Sequence, residues 1–171
     1  MKRHNDPNKT NPIGLARYSR EFYDTAIAAD RDIGMRPGFE IIAPIPVMYL
    51  IGHSIELGLK SYLLYMGISL DDLPQKKYGH NLIKSFDKAK ELGLLKIVNF
   101  DTVEIEGLKV LNELYSTKQL NYIITGSKTF PVFGPIQSFC RKLLNGVCPY
   151  VGYKFKVIFW VFGQKNLIFQ S

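Results

Sequence analysis

The chain has 171 residues, of which 46% are hydrophobic and 22% charged, and it carries a net charge of +7. That composition is ordinary for one globular domain. A chain this long buries roughly 70% of its unfolded surface, so it needs neither a disulfide framework nor a structural metal to fold. The charge is uneven. Residues 1–113 hold 15 basic and 15 acidic side chains. After Glu113 there is no acid, and Lys118, Lys128, Arg141, Lys142, Lys154, Lys156 and Lys165 supply the whole excess. Two readings stand: a surface facing a polyanion such as nucleic acid or an acidic partner, or a solvated basic face.

Residues 1–14 are polar and rich in Asn and Pro, which predicts a flexible lead-in without a signal peptide. Leu15, Phe22, Ala26, Ala29 and Ile33 recur at helical spacing, and Gly34 follows as a stop. Met35–Pro46 reads as a loop that Ile41 and Ile42 pin to the core. A second helix runs from Val47 to Met66, apolar nearly all round, with Gly67 at its C-terminal cap. It is the predicted centre of the bundle, and Ser54 and Gly58 form a notch for a neighbouring helix.

Ser69–Gly79 is polar and carries Pro74, which predicts a loop. A third helix starts at His80 or Asn81, points Leu82, Phe86 and Ala89 inward, and ends at Gly93. A fourth runs from Thr102 to Lys118, or on to Tyr122, with Leu108, Leu111, Tyr115 and Tyr122 on one stripe. A fifth, shorter helix spans Pro135–Asn145 and stops at Gly146. Tyr153–Phe162 alternates and is rich in β-formers. The reading is therefore an all-α bundle of about five helices over residues 15–150. An apolar tail, 151–171, packs on the domain, pairs with a strand, or lies at an interface. No apolar stretch is long enough to span a membrane, which predicts a cytoplasmic protein.

The strongest chemical signal lies on the second helix. Tyr49, His53, Glu56 and Lys60 fall three and four residues apart and share a face. On so apolar a helix they are partly buried, so the charges need partners. Glu56 and Lys60 pair at i,i+4, and His53 reaches Glu56. The stripe is either an acid–base or ligand-orienting cluster, or a polar network that holds helices in register. Tyr78-Gly79-His80-Asn81 opens the third helix, where free N–H groups favour an anion; His80 either contacts a ligand there or caps the helix.

Phosphate-binding glycine loops, nucleophile elbows and H-E-x-x-H are absent. Cys140 and Cys148 match no metal or redox spacing and read as reduced thiols. Asp71-Asp72 reads as a solvated turn, and His4 falls in the lead-in. Tyr18, Phe22, Tyr62 and Tyr65 sit at helical spacing and read as core. No metal or cofactor is expected.

The run IGHSIELGLKSYLLYMG, the following YGHNLIKSFDKAKELGL and the later LKVLNELYSTKQLNYIITG resemble HEPN-domain proteins, small helical domains found mostly in prokaryotes. The resemblance covers residues 15–130 and rests on E-L-x-L-K at Glu56–Lys60 and G-H-[ND]-L at Gly79–Leu82. It implies a helical bundle, homodimerisation, a groove for nucleotide or RNA, and a nucleotidyltransferase-type protein partner. Glu56, Lys60, Gly79 and His80 match the family's recurrent positions. Many members are metal-independent ribonucleases with an arginine four to six residues before a histidine. Here Arg3 adjoins His4, and no arginine precedes His53 or His80 at that distance. The expected function is a non-catalytic binding module for nucleotide, RNA or a partner protein. The alternatives are a ribonuclease using His53, Glu56 and His80 in an atypical site, and a structural subunit of a homo-oligomer.

Overall fold

A computed structural model of the chain describes residues 10–70, 72–73, 79–122 and 126–154, and the backbone of 157–161 and 164–168. Five α-helices form the bundle: α1 (Pro12–Ile33), α2 (Ile45–Tyr65), α3 (Leu82–Glu91), α4 (Thr102–Ser116) and α5 (Phe133–Tyr150). A short 3-10 turn, Leu94–Lys96, follows α3. Strands β1 (Val157–Val161) and β2 (Gln164–Ile168) pair antiparallel, Val157 opposite Ile168 and Val161 opposite Gln164. His4, Asp71, Pro74 and Tyr78 lie outside the described residues, as do parts of the tail.

The helix ends follow from local chemistry. The Asn11 side chain accepts the Gly14 N–H at 2.8 Å and Pro12 opens α1, so this helix starts earlier than its apolar periodicity indicates. At the end of α2, Gly67 takes a left-handed φ of 92° while Ile68 N–H bonds to Leu63 O and Gly67 N–H to Leu64 O. That is the paired closure expected of a glycine cap. Asp101 and Glu104 form a reciprocal capping box at the start of α4.

α2 packs against each of the other four helices. Of its residues, Val47, Met48, Ile51, Ile55 and Leu59 are sealed in the core. The predicted notch receives α1 and α5. Ser54 Oγ donates to Ser19 O at 2.7 Å, and Ser19 Oγ donates to Ser54 O at 2.6 Å. A Cβ on Gly58 would lie 3.1 Å from Ser19 Oγ and 3.3 Å from Leu143 Cδ2. Leu82, Phe86 and Ala89 of α3 are buried as predicted. Phe86 meets Phe100 and Phe139 edge-on, and those two stack with centroids 4.1 Å apart.

Four sequence expectations are corrected. Ile41 and Ile42 are exposed, and buried Ala43 anchors the loop instead, helped by Phe133 N–H donating to Ile41 O. α4 stops at Ser116 because Lys118 turns left-handed, φ 60°, and Gln119 N–H closes onto Leu114 O. Tyr122 is therefore exposed rather than part of the core stripe. α5 is longer than predicted at both ends, beginning at Phe133 and running through Gly146 to Tyr150. Gly146 is a packing residue, since a Cβ there would lie 3.0 Å from Ile97 O. Lastly, Tyr18 and Tyr65 are half exposed, whereas Tyr62 is core.

Candidate functional site

The predicted stripe on α2 converges with residues from α4 and the turn before α3. Glu56 is the hub, its side chain only 5% exposed. Lys60, one turn along α2, donates to Glu56 Oε1. On Glu56 Oε2, the Tyr115 hydroxyl donates from α4, and His80 Nδ1 approaches to 3.2 Å. His53 Nδ1 lies 3.6 Å from the same oxygen and 3.0 Å from the Tyr115 hydroxyl oxygen. An ionised carboxylate only accepts, so His80 carries its proton on Nδ1. The Tyr115 proton is committed to Glu56, so its oxygen accepts from His53 Nδ1–H. Both imidazoles consequently present Nε2 as the lone-pair nitrogen when neutral.

Aromatic rings enclose this network. Tyr49 stacks parallel to His53 with centroids 6.0 Å apart, and Phe22 of α1 meets His53 edge-on at 4.5 Å. The Tyr115 ring lies against Gly52, where a Cβ would sit 2.6 Å from Tyr115 Cδ2. Gly52 thus lets α4 deliver the tyrosine to Glu56. Gly79 lies in the turn that brings His80 to the same carboxylate.

Burial alone raises the carboxyl pKa of Glu56. Hydrogen bonds from His53, Lys60 and Tyr115, together with the Lys60 charge, overcome it and hold the group at about 2. Burial, reinforced by the neighbouring Glu56 charge and hydrogen bond, pushes the Tyr115 phenol well above its ordinary value. At neutral pH the centre is therefore a fixed carboxylate and a fixed phenol. Neither is a ready proton carrier. Both imidazoles reach solvent, the His53 side chain being 27% exposed and that of His80 55%.

Beside the network opens a cleft of about 230 Å³ lined by Tyr49, His80, Tyr115, Lys118, Asn121 and Tyr122. No acid lines it. Lys118 and Tyr122 were not among the sequence candidates, and the left-handed turn after α4 is what places them here. Tyr115 reads in sequence only as a core residue, because 59 residues separate it from Glu56. The expected anion site at the α3 N-terminus is largely closed: the Asn112 side chain takes Leu82 N–H and the Asn81 side chain takes Lys84 N–H.

The other sequence candidates fall away from this site. Cys140 and Cys148 are free and buried, and burial pushes their thiols up to about 12 and about 11. Asp72 closes a local turn with Ser69. Among the described residues no group of His, Cys, Asp and Glu could hold a metal ion. Lys142 is not a free cation of the basic segment; it bonds to Glu104 at 2.7 Å. No described helix is long and apolar enough to cross a membrane. Comparison with known proteins finds no matching family model, no similar curated protein and no similar solved structure.

Proposed function

We propose that the chain is a HEPN-like binding module whose cleft takes one nucleotide unit, free or within single-stranded RNA. One observation carries the reading: a small cleft combining three tyrosines with His80, Lys118 and Asn121 and, among the described residues, lined by no acid. Aromatic rings stack on any base, and such stacking is worth about 1–3 kcal/mol per base. A lysine and a histidine on the same wall suit a phosphate. The cleft is smaller than most sites for drug-sized ligands, which favours a single base or phosphate over an extended groove. Glu56 acts as the positioning residue: its carboxylate fixes the His80 tautomer and orients Tyr115.

The module is non-catalytic in this reading. A carboxylate held near 2 is a poor base at neutral pH, and the arginine–histidine ribonuclease motif is missing. Titration of labelled single-stranded RNA and of mononucleotides at graded salt tests it. Binding that weakens with salt, and weakens at least tenfold in Tyr122→Ala, supports the reading. Salt-independent binding, or none at millimolar nucleotide, removes it.

A second reading rests on the half-exposed imidazole of His80, whose Nδ1 is held by Glu56 as in a carboxylate–histidine dyad. Such an imidazole can act as a general base for RNA cleavage. Purified wild-type chain that cleaves RNA, with activity lost in His80→Ala, favours the enzyme over the binding module.

A further inference from the structure

We propose that a second cleft, between the end of α1, the loop into α2 and the start of α5, binds an α-amino acid with a large apolar side chain, its ammonium on Asp30 and its carboxylate on Arg31. The cleft encloses about 660 Å³ and shares no lining residue with the one beside Glu56. Its size is that of a small-molecule site. The walls are mainly apolar: Met35, Phe39 and Ile41 come from the loop, and Val132 and Phe133 from the start of α5. Met35, Ile41 and Val132 are 83%, 65% and 53% exposed. Large apolar side chains gathered on one concave surface mark a place where a ligand covers them. The loop is tied down, with Arg36 N–H donating to Ile33 O and Phe133 N–H to Ile41 O, so the cleft is preformed.

The charged residues that line the cleft are not equivalent. Arg36 lies 4.0 Å from Asp32, and Glu40 Oε1 accepts the Gly38 N–H at 3.0 Å. Asp30 and Arg31 have no ion pair or side-chain hydrogen bond among the described residues. Asp30 is half-buried, and burial pushes its carboxyl pKa up. It also stands in the last turn of α1, where the helix dipole disfavours an acid. Gly34 leaves room for the carboxylate, since a Cβ there would lie 2.6 Å from Asp30 Oδ1. An ammonium beside Asp30 offsets both costs. Arg31 presents a fork of N–H donors that matches a carboxylate. Consecutive residues set these two charges close together, as ammonium and carboxylate are when both sit on one α-carbon. The apolar walls are left for the side chain.

The test titrates L-leucine into the full chain and follows the methyl NMR signals of Met35 and Val132. Saturable shifts of both are expected. N-acetyl-leucine lacks the ammonium and leucinamide lacks the carboxylate. Each is expected to bind about tenfold more weakly or worse, because each leaves one protein charge unpaired. L-glutamine keeps the head group but loses the apolar body, and the same weakening is expected of it. Asp30→Asn is expected to bring leucine and N-acetyl-leucine to equal affinity, and Arg31→Gln to do so for leucine and leucinamide. Neither residue belongs to the core, so helical circular dichroism is expected to stay unchanged in both variants. Methyl signals unmoved at millimolar leucine overturn the proposal. So does glutamine or N-acetyl-leucine binding as tightly as leucine, or an Asp30→Asn chain that still discriminates between leucine and its acetylated form. Since the two clefts share no residue, none of these results bears on the nucleotide reading.

Discussion

At the scale of single residues, Glu56 decides how the site responds to acid. Its carboxyl titrates near 2 in the folded chain against 4.5 in the ordinary case. Proton uptake between those values favours the unfolded chain. The stabilisation is thus fully present above about pH 4.5 and is lost as pH falls toward 2, an amount of about 3 kcal/mol. Glu56→Gln is expected to lower the melting temperature at pH 7 by about 6–12 °C. Its melting temperature should then fall less steeply than the wild type's as pH drops from about 4.5 toward 2, which calorimetry across pH reads directly.

Lys118 is the second informative residue. It holds a left-handed φ of 60°, a conformation that costs a side-chain-bearing residue roughly 1–2 kcal/mol. Strain of this kind is retained where it places a group for a purpose. Lys118→Gly is expected to gain about 0.5–1 kcal/mol in chemical denaturation, after allowing for the looser unfolded chain. The same variant is expected to lose RNA affinity. Sequence spacing showed Tyr49, His53, Glu56 and Lys60 on one face because a helix fixes that geometry locally. It could not show Tyr115 or Lys118 as their neighbours, because tertiary packing and a turn conformation set those positions.

Among the secondary-structure elements, glycines carry much of the architecture. The long helices were legible from apolar periodicity, and Gly67 and Gly93 marked true ends with φ of 92° and 95°. Gly146 misled, since a glycine that stops a helix and one that admits a neighbouring loop look alike in sequence. Ile41 and Ile42 misled in the same way: loop isoleucines are apolar whether or not the loop is covered. Gly52 is the sharpest case of a close approach. Gly52→Ala gains helix propensity of about 1 kcal/mol, but its methyl collides with the Tyr115 ring. Overpacking of this kind costs about 1–3 kcal/mol, so the net expectation is a destabilised α4 contact and a displaced Tyr115 hydroxyl. A thermal melt, together with loss of the acid-sensitive step assigned to Glu56, checks it.

Across the described molecule, ion pairs are spread over several helices rather than gathered on one face. The outward sides of α1, α3 and α4 carry pairs such as Arg17–Glu21, Lys90–Asp87 and Lys109–Glu106. Exposed pairs of this sort contribute little to stability. The acid-free segment after Glu113 is not one continuous basic surface. Lys142 is spent on buried Glu104, while Lys118 stands at the cleft. The uneven charge seen in the sequence thus had at least two structural meanings that composition alone could not separate.

In the proposed function, the cleft beside Glu56 receives a nucleotide unit. Side-chain NMR of His80, Tyr49 and Tyr122 during titration with a short single-stranded oligouridine tests it most directly. The predicted result is saturable, salt-sensitive shifts at His80, Tyr49 and Tyr122, with the ion-paired faces of α1 and α3 unmoved. Shifts confined to those faces, or none at saturating oligonucleotide, would contradict it.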